Sequence, residues 1–234
     1  MKQEQDPLIF EFSKDQFLFI ELTLVLTLFS APILLWTTAD GVLCLTIYIV
    51  LFIVIIPLGY MTFLFKGKRA FEYYFTGELS FKRNLLNWGV FLSLIAFGLH
   101  FLIGWVYFDY FVKYETFDFP IEIENDLEMS LFLMVFLTFY PVCEELYWRV
   151  FIAKTFPRTE FYYILNSLHY GLLHIFVLLQ ITGVGVSLMM GVYFFGVGCL
   201  FIYLKRLIKF VNVVMIHVSM NAGAVMAFYV FYIN

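Results

Sequence analysis

Residues 87–108 read NWGVFLSLIAFGLHFLIGWVYF, twenty-two positions without one Asp, Glu, Lys or Arg. As a helix rising about 1.5 Å per residue this stretch is roughly 33 Å long, enough to cross the hydrocarbon core of a bilayer. Comparable apolar blocks lie near 17–37, 42–65, 130–152, 161–181, 183–204 and 211–232. The whole chain is 63% hydrophobic and only 14% charged, against about 25% charged in a soluble domain. The sequence is therefore read as all-α, a polytopic bundle of about seven spans. One integral membrane domain covers 1–234, and the polar motifs fall in a core at about 130–232. Gly183 and Gly185 alone separate the fifth and sixth spans.

Charge placement gives an orientation. Lys2, Lys14, Lys66, Lys68, Arg69, Lys82, Arg83, Lys154, Arg158, Lys205, Arg206 and Lys209 fall on one side, twelve of the fourteen basic residues. Cytoplasmic loops collect Lys and Arg, so the N-terminus is expected in the cytoplasm and the C-terminus outside. The opposite side holds an acidic loop at 109–129. Residues 66–86 alternate charges with aromatics, which fits either a surface amphipathic helix or a solvated loop. No secretory leader pattern precedes the first apolar block. That block is expected to stay in the mature protein. Cys44, Cys143 and Cys199 lie in apolar stretches without C-x-x-C spacing and read as buried small hydrophobes. A net charge of −4 and the lack of a basic, aromatic-interleaved stretch argue against a nucleic-acid partner.

Charges inside spans are expensive, about 2.5–3.5 kcal/mol each at a helix centre on insertion scales. The fourth span nevertheless carries three within six residues: Glu144, Glu145 and Arg149. Glu145 and Arg149, at i and i+4, share a helix face and can pair. Glu144 is turned about 100° away, a buried carboxylate suited to acid–base work. In the fifth span Tyr170 precedes His174 by one turn, with Gly171 allowing close approach of a helix or a substrate backbone. In the seventh, His217 precedes Asn221 by one turn. Depths from the basic side come to roughly 13 Å for Glu144, 10–15 Å for His217 and Asn221, and 20 Å for His174. Any one of these residues alone reads as a helix-packing group. His100, His169 and Glu21 have no companion at helical spacing and are read that way.

The ordered set Glu144-Glu145-Leu146-Tyr147-Trp148-Arg149, Tyr170-Gly171-Leu172-Leu173-His174 and His217-Val218-Ser219-Met220-Asn221 resembles the CAAX prenyl protease and bacteriocin-processing (CPBP, or Abi) family of intramembrane proteases. That signature is E-E-x-x-x-R, F-x-x-x-H and H-x-x-x-N. Tyr170 stands where the family usually has phenylalanine. The resemblance covers about 140–225. It implies an endopeptidase in which Glu144, helped by His174, activates a water, while His217 and Asn221 hold the oxyanion. Glu145, Arg149 and Tyr170 would support them. No cofactor is expected. The family has also been described as metalloproteases, which would make Glu144, His174 and His217 a zinc set with water as fourth ligand. The implied partners are a peptide or membrane-protein substrate and the lipid bilayer, in a bacterial plasma membrane. Substrates in the family include CAAX-like C-termini, bacteriocin leaders and signalling peptides. Two other classes fit a buried polar cluster: a non-catalytic scaffold binding a sensor kinase or envelope enzyme, and a proton-coupled transporter. The second of these expects internal repeats or broken helices, which the sequence lacks.

Overall fold

The computed structural model describes residues 83–110, 133–152, 159–179 and 182–233, with single positions at 21, 25, 47, 50 and 55. The first two spans read from the sequence, 17–37 and 42–65, lie outside these segments. So do most of the 66–86 stretch and most of the acidic loop. Among the described residues every element is helical.

Helix α1, Arg83–Tyr110, starts earlier than the span read at 87–108. Nothing between Arg83 and Trp88 breaks a helix, since neither Gly nor Pro occurs there. Helix α2 runs over 135–152 in three parts: a wide π turn at Val135–Phe139, an α segment at Tyr140–Glu145 and a second wide turn at Leu146–Ile152. Pro141 at the head of the α segment has no N–H for the carbonyl four residues back. A locally widened helix absorbs that defect, and such bulges concentrate at functional sites.

Helix α3 is Glu160–Leu178, capped by Thr159, whose hydroxyl accepts from Tyr162 N at 3.5 Å. Helix α4 is Val184–Leu207, entered through extended Gly183. Helix α5 is Phe210–Phe228, prolonged by a wide turn at Tyr229–Ile233. Only Ile208 and Lys209, both extended, separate α4 from α5.

Four of these helices, α1, α3, α4 and α5, are long and apolar enough to cross a membrane. The count of about seven spans rests on the sequence. Helix α2, with its three charges, is not among the four.

Two helix pairs build the bundle. Helix α1 lies along α5, and α3 along α4. Lipid tails are as apolar as leucine, so close packing of small residues has to hold such pairs. A Cβ on Gly171 would sit 2.8 Å from Gly191 O, and one on Gly104 2.6 Å from Ala227 Cβ. Gly89 faces Asn212 while Gly104 faces Ala227, so α1 and α5 run parallel. Gly171 faces Gly191 and Phe195 while Gly198 faces Ser167, so α3 and α4 run antiparallel. The close partner of Gly171 is thus helix α4. Helix α2 touches α3, α4 and α5 and wedges its charged segment between the two pairs.

Candidate functional site

Three elements bring the polar motifs together on α2. His174 arrives from α3 and His217 from α5, and both present Nε2 to Glu144. The separations are 4.0 Å from His174 Nε2 to Glu144 Oε1 and 3.5 Å from His217 Nε2 to Glu144 Oε2. The other ring nitrogens are committed. His174 Nδ1 lies 2.8 Å from its own helix carbonyl, Tyr170 O, and must donate there. His217 Nδ1 lies 2.9 Å from Glu145 Oε1. A carboxylate on one imidazole nitrogen fixes the ring and aims the other nitrogen.

Glu145 in turn lies 3.5 Å from Arg149 Nε through its second oxygen. The sequence pairing of Glu145 with Arg149 is therefore present, and it extends to His217. The Arg149 guanidinium packs over the rings of Tyr170 (4.4 Å) and Phe201 (5.4 Å), a cation–π arrangement that offsets part of its desolvation. Glu144, Glu145 and Arg149 are all buried. His174 retains 17% of its side-chain exposure, which makes it the open edge of the cluster.

A 3.5 Å contact is a charge contact rather than a good hydrogen bond. Oε2 of both glutamates, together with Nε and Nη2 of Arg149, has no hydrogen-bond partner among the described residues. Buried polar groups are normally satisfied, so such a concentration of spare capacity marks a place where a ligand or water completes the network.

Asn221 meets α2 at its first wide turn. Its amide nitrogen donates to Phe136 O at 3.4 Å, a carbonyl in the first wide turn of α2. It thereby ties α5 to α2 one turn beyond His217.

Several neighbours were not singled out by the sequence reading. The Tyr140 hydroxyl donates to Glu144 Oε1 at 3.1 Å. Tyr140 lies four residues before Glu144, the same spacing that pairs Glu145 with Arg149. Phe194 stacks on His174, with centroids 3.7 Å apart and planes at 20°. Phe201 meets His217 edge-on at 5.6 Å. No sequence signal separates these two from the other phenylalanines, of which the chain has 31 in all. Lys205 Nζ donates to Arg149 O, and Asn166 Nδ2 donates to Trp148 O at 3.1 Å. Both bonds tie neighbouring helices to carbonyls in the second wide turn of α2. Among the described residues His169 bonds its own helix, at Leu165 O.

A zinc ion needs its ligands gathered around one point at about 2.0–2.2 Å. Among the described residues no three His, Cys, Asp or Glu side chains are grouped so as to hold a metal ion.

Residues 126–223 match the family model described as type II CAAX prenyl endopeptidase Rce1-like. The match contains all three motifs and bears out the resemblance drawn from them. The four apolar helices mark an integral membrane protein, and residues 126–223 are what is similar to that family. No curated protein and no solved structure matches the chain.

Proposed function

We propose, on the premise of an Rce1-like segment at 126–223, that this protein is an intramembrane endopeptidase that uses a glutamate-activated water. The observation that carries the reading is the placement of Glu144 between the Nε2 atoms of two histidines from different helix pairs. His174 Nδ1 is occupied as a donor, so its Nε2 has a lone pair to offer. One water donating to both Glu144 Oε1 and His174 Nε2, with hydrogen bonds of about 2.8 Å meeting at roughly a right angle, spans about 4.0 Å. That is the distance found.

In the reaction Glu144 takes a proton from this water as its oxygen attacks the scissile carbonyl carbon. The carbonyl π pair moves onto oxygen, giving a tetrahedral oxyanion. His217, with Nδ1 held by Glu145, presents Nε2 toward that oxyanion. Asn221 retains a second N–H for the same purpose beyond the one given to Phe136 O. Fixed donors in a dry site stabilise such charge strongly. The proton held by Glu144 then passes to the leaving nitrogen as the carbonyl re-forms and the C–N bond breaks, yielding a carboxylic acid and an amine and restoring the Glu144 carboxylate. Glu145 and Arg149 hold His217 in register, and Tyr170 supports the guanidinium from below. No step is routed through a metal.

The substrate class is a peptide segment reaching into the bilayer: a CAAX-like C-terminus, a bacteriocin leader or a signalling peptide. The chain acts as one integral domain in a bacterial plasma membrane, with its N-terminus cytoplasmic and C-terminus outside. The test compares cells carrying wild-type protein or Glu144→Gln at matched membrane levels, following peptide termini by mass spectrometry. A precursor left uncut only in the mutant supports the protease. Identical termini, with the mutant still rescuing a deletion phenotype, move the scaffold reading into first place.

A further inference from the structure

One polar pair near the site has no part in the chemistry above. His100, on α1, lies with Nδ1 2.8 Å from Ala96 O. That nitrogen must therefore carry the proton, and Nε2 is left as an acceptor. Its partner is the hydroxyl of Tyr193 on α4, which donates to Nε2. The two rings lie 5.7 Å apart, tilted at 59°.

This bond joins two helices that belong to different pairs. Helix α1 packs along α5 and α4 along α3, and α1 has no extended contact with α4. The bond therefore tethers one pair to the other across the seam in which the glutamates sit.

The tether leads directly to His174. Tyr193 is the chain neighbour of Phe194, and their rings meet edge-on at 5.3 Å. Phe194 lies flat on the His174 imidazole. Tyr170 bounds the imidazole from another side, with centroids 4.5 Å apart. With Nδ1 anchored on Tyr170 O, the remaining freedom of His174 is the tilt of its ring. That tilt decides where Nε2 points relative to Glu144, and Phe194 sets it. Phe194 is held by its own helix, which packs on α3 at Gly191 and is bonded to α1 through Tyr193 and His100.

We propose that His100 and Tyr193 are positioning residues, a tether across the seam that holds Phe194 against His174 and so aims His174 Nε2 at Glu144. The consequence for turnover rests on the endopeptidase reading; the consequence for His174 does not.

The test uses full-length protein in lipid nanodiscs with ¹⁵N-labelled histidine, in wild-type, Tyr193→Phe, His100→Ala and His100→Gln forms. Tyr193→Phe keeps the ring and removes only the donor. The four histidines of the chain are assigned by single substitution. The expected result is a shifted or broadened His174 Nε2 signal in Tyr193→Phe and His100→Ala. In His100→Gln, whose side-chain oxygen can still accept, the signal moves back toward its wild-type position. Cleavage should fall about three- to tenfold in kcat with KM unchanged, the scale of one lost hydrogen bond. The double substitution should be no worse than either single. An unchanged His174 signal in both single variants overturns the tether. A His174 signal that moves in a wild-type background showing no proteolysis keeps the tether and removes the endopeptidase reading instead.

Discussion

Replacing Arg149 by methionine strands a charge, and the structure gives its cost. Arg149 and Glu145 are both buried, 3.5 Å apart, and the guanidinium is sandwiched near Tyr170 and Phe201. Methionine fills much of the same volume but removes the guanidinium that pairs with Glu145. Deleting one partner of a buried ion pair typically costs about 3–5 kcal/mol, because the remaining charge is left uncompensated. Arg149→Met should therefore lower stability by about 4 kcal/mol on that scale. Neutralising the stranded group should recover much of the loss. In Glu145→Gln/Arg149→Met, glutamine can still accept from His217 Nδ1 and no carboxylate is left unpaired. The double variant should regain at least about 2 kcal/mol relative to Arg149→Met. The assay is equilibrium unfolding in mixed micelles of rising SDS fraction, read by tryptophan fluorescence. An Arg149→Met loss below about 1 kcal/mol would refute the reasoning, since surface-like pairs cost that little. So would a double variant whose loss equals the sum of the two singles.

Other consequences are more local. Tyr140→Phe removes the hydroxyl that donates to Glu144 Oε1 and should cut kcat at least about tenfold, the scale of a hydrogen bond to a charged group; turnover of purified protein checks it. Gly171→Val puts side-chain atoms against Gly191 O and should destabilise the α3–α4 pair by about 1–3 kcal/mol, as overpacking does, seen as a lower unfolding midpoint. Incubation with a strong zinc chelator should leave turnover unchanged, since no three-ligand group is assembled among the described residues; loss of activity restored by added zinc would reverse that expectation.

Much of the site was legible because helical spacing is local. Glu145 with Arg149 could be paired from an i,i+4 count alone, and the structure keeps that pair. The same count applied backwards from Glu144 would have found Tyr140. What spacing cannot give is which faces of separate helices meet. The convergence of His174 and His217 on Glu144 is decided by two glycine-lined helix pairs with α2 wedged between them. His217 bridging both glutamates follows from that placement. Asn221 was grouped with the catalytic residues by its motif, and one N–H of its amide is given to Phe136 O. That carbonyl belongs to a wide turn, a feature that hydrophobic periodicity does not register. His100 was set aside because it has no companion on its own helix. Its partner is 93 residues away on α4. Phe194 and Phe201 carry no mark in a chain so rich in aromatics, and only packing shows what they hold.

Everything in the proposed reaction turns on Glu144 activating the water. The direct measurement is hydrolysis of the cell-identified precursor by purified wild-type and Glu144→Gln proteins in H₂¹⁸O, with mass spectrometry of the new C-terminus. The new carboxylate made by the wild type should carry one ¹⁸O, and the rate in the mutant should be lower by about 10²–10⁴, the usual contribution of a general base. A Glu144→Gln protein that cuts the precursor at the wild-type rate would contradict it.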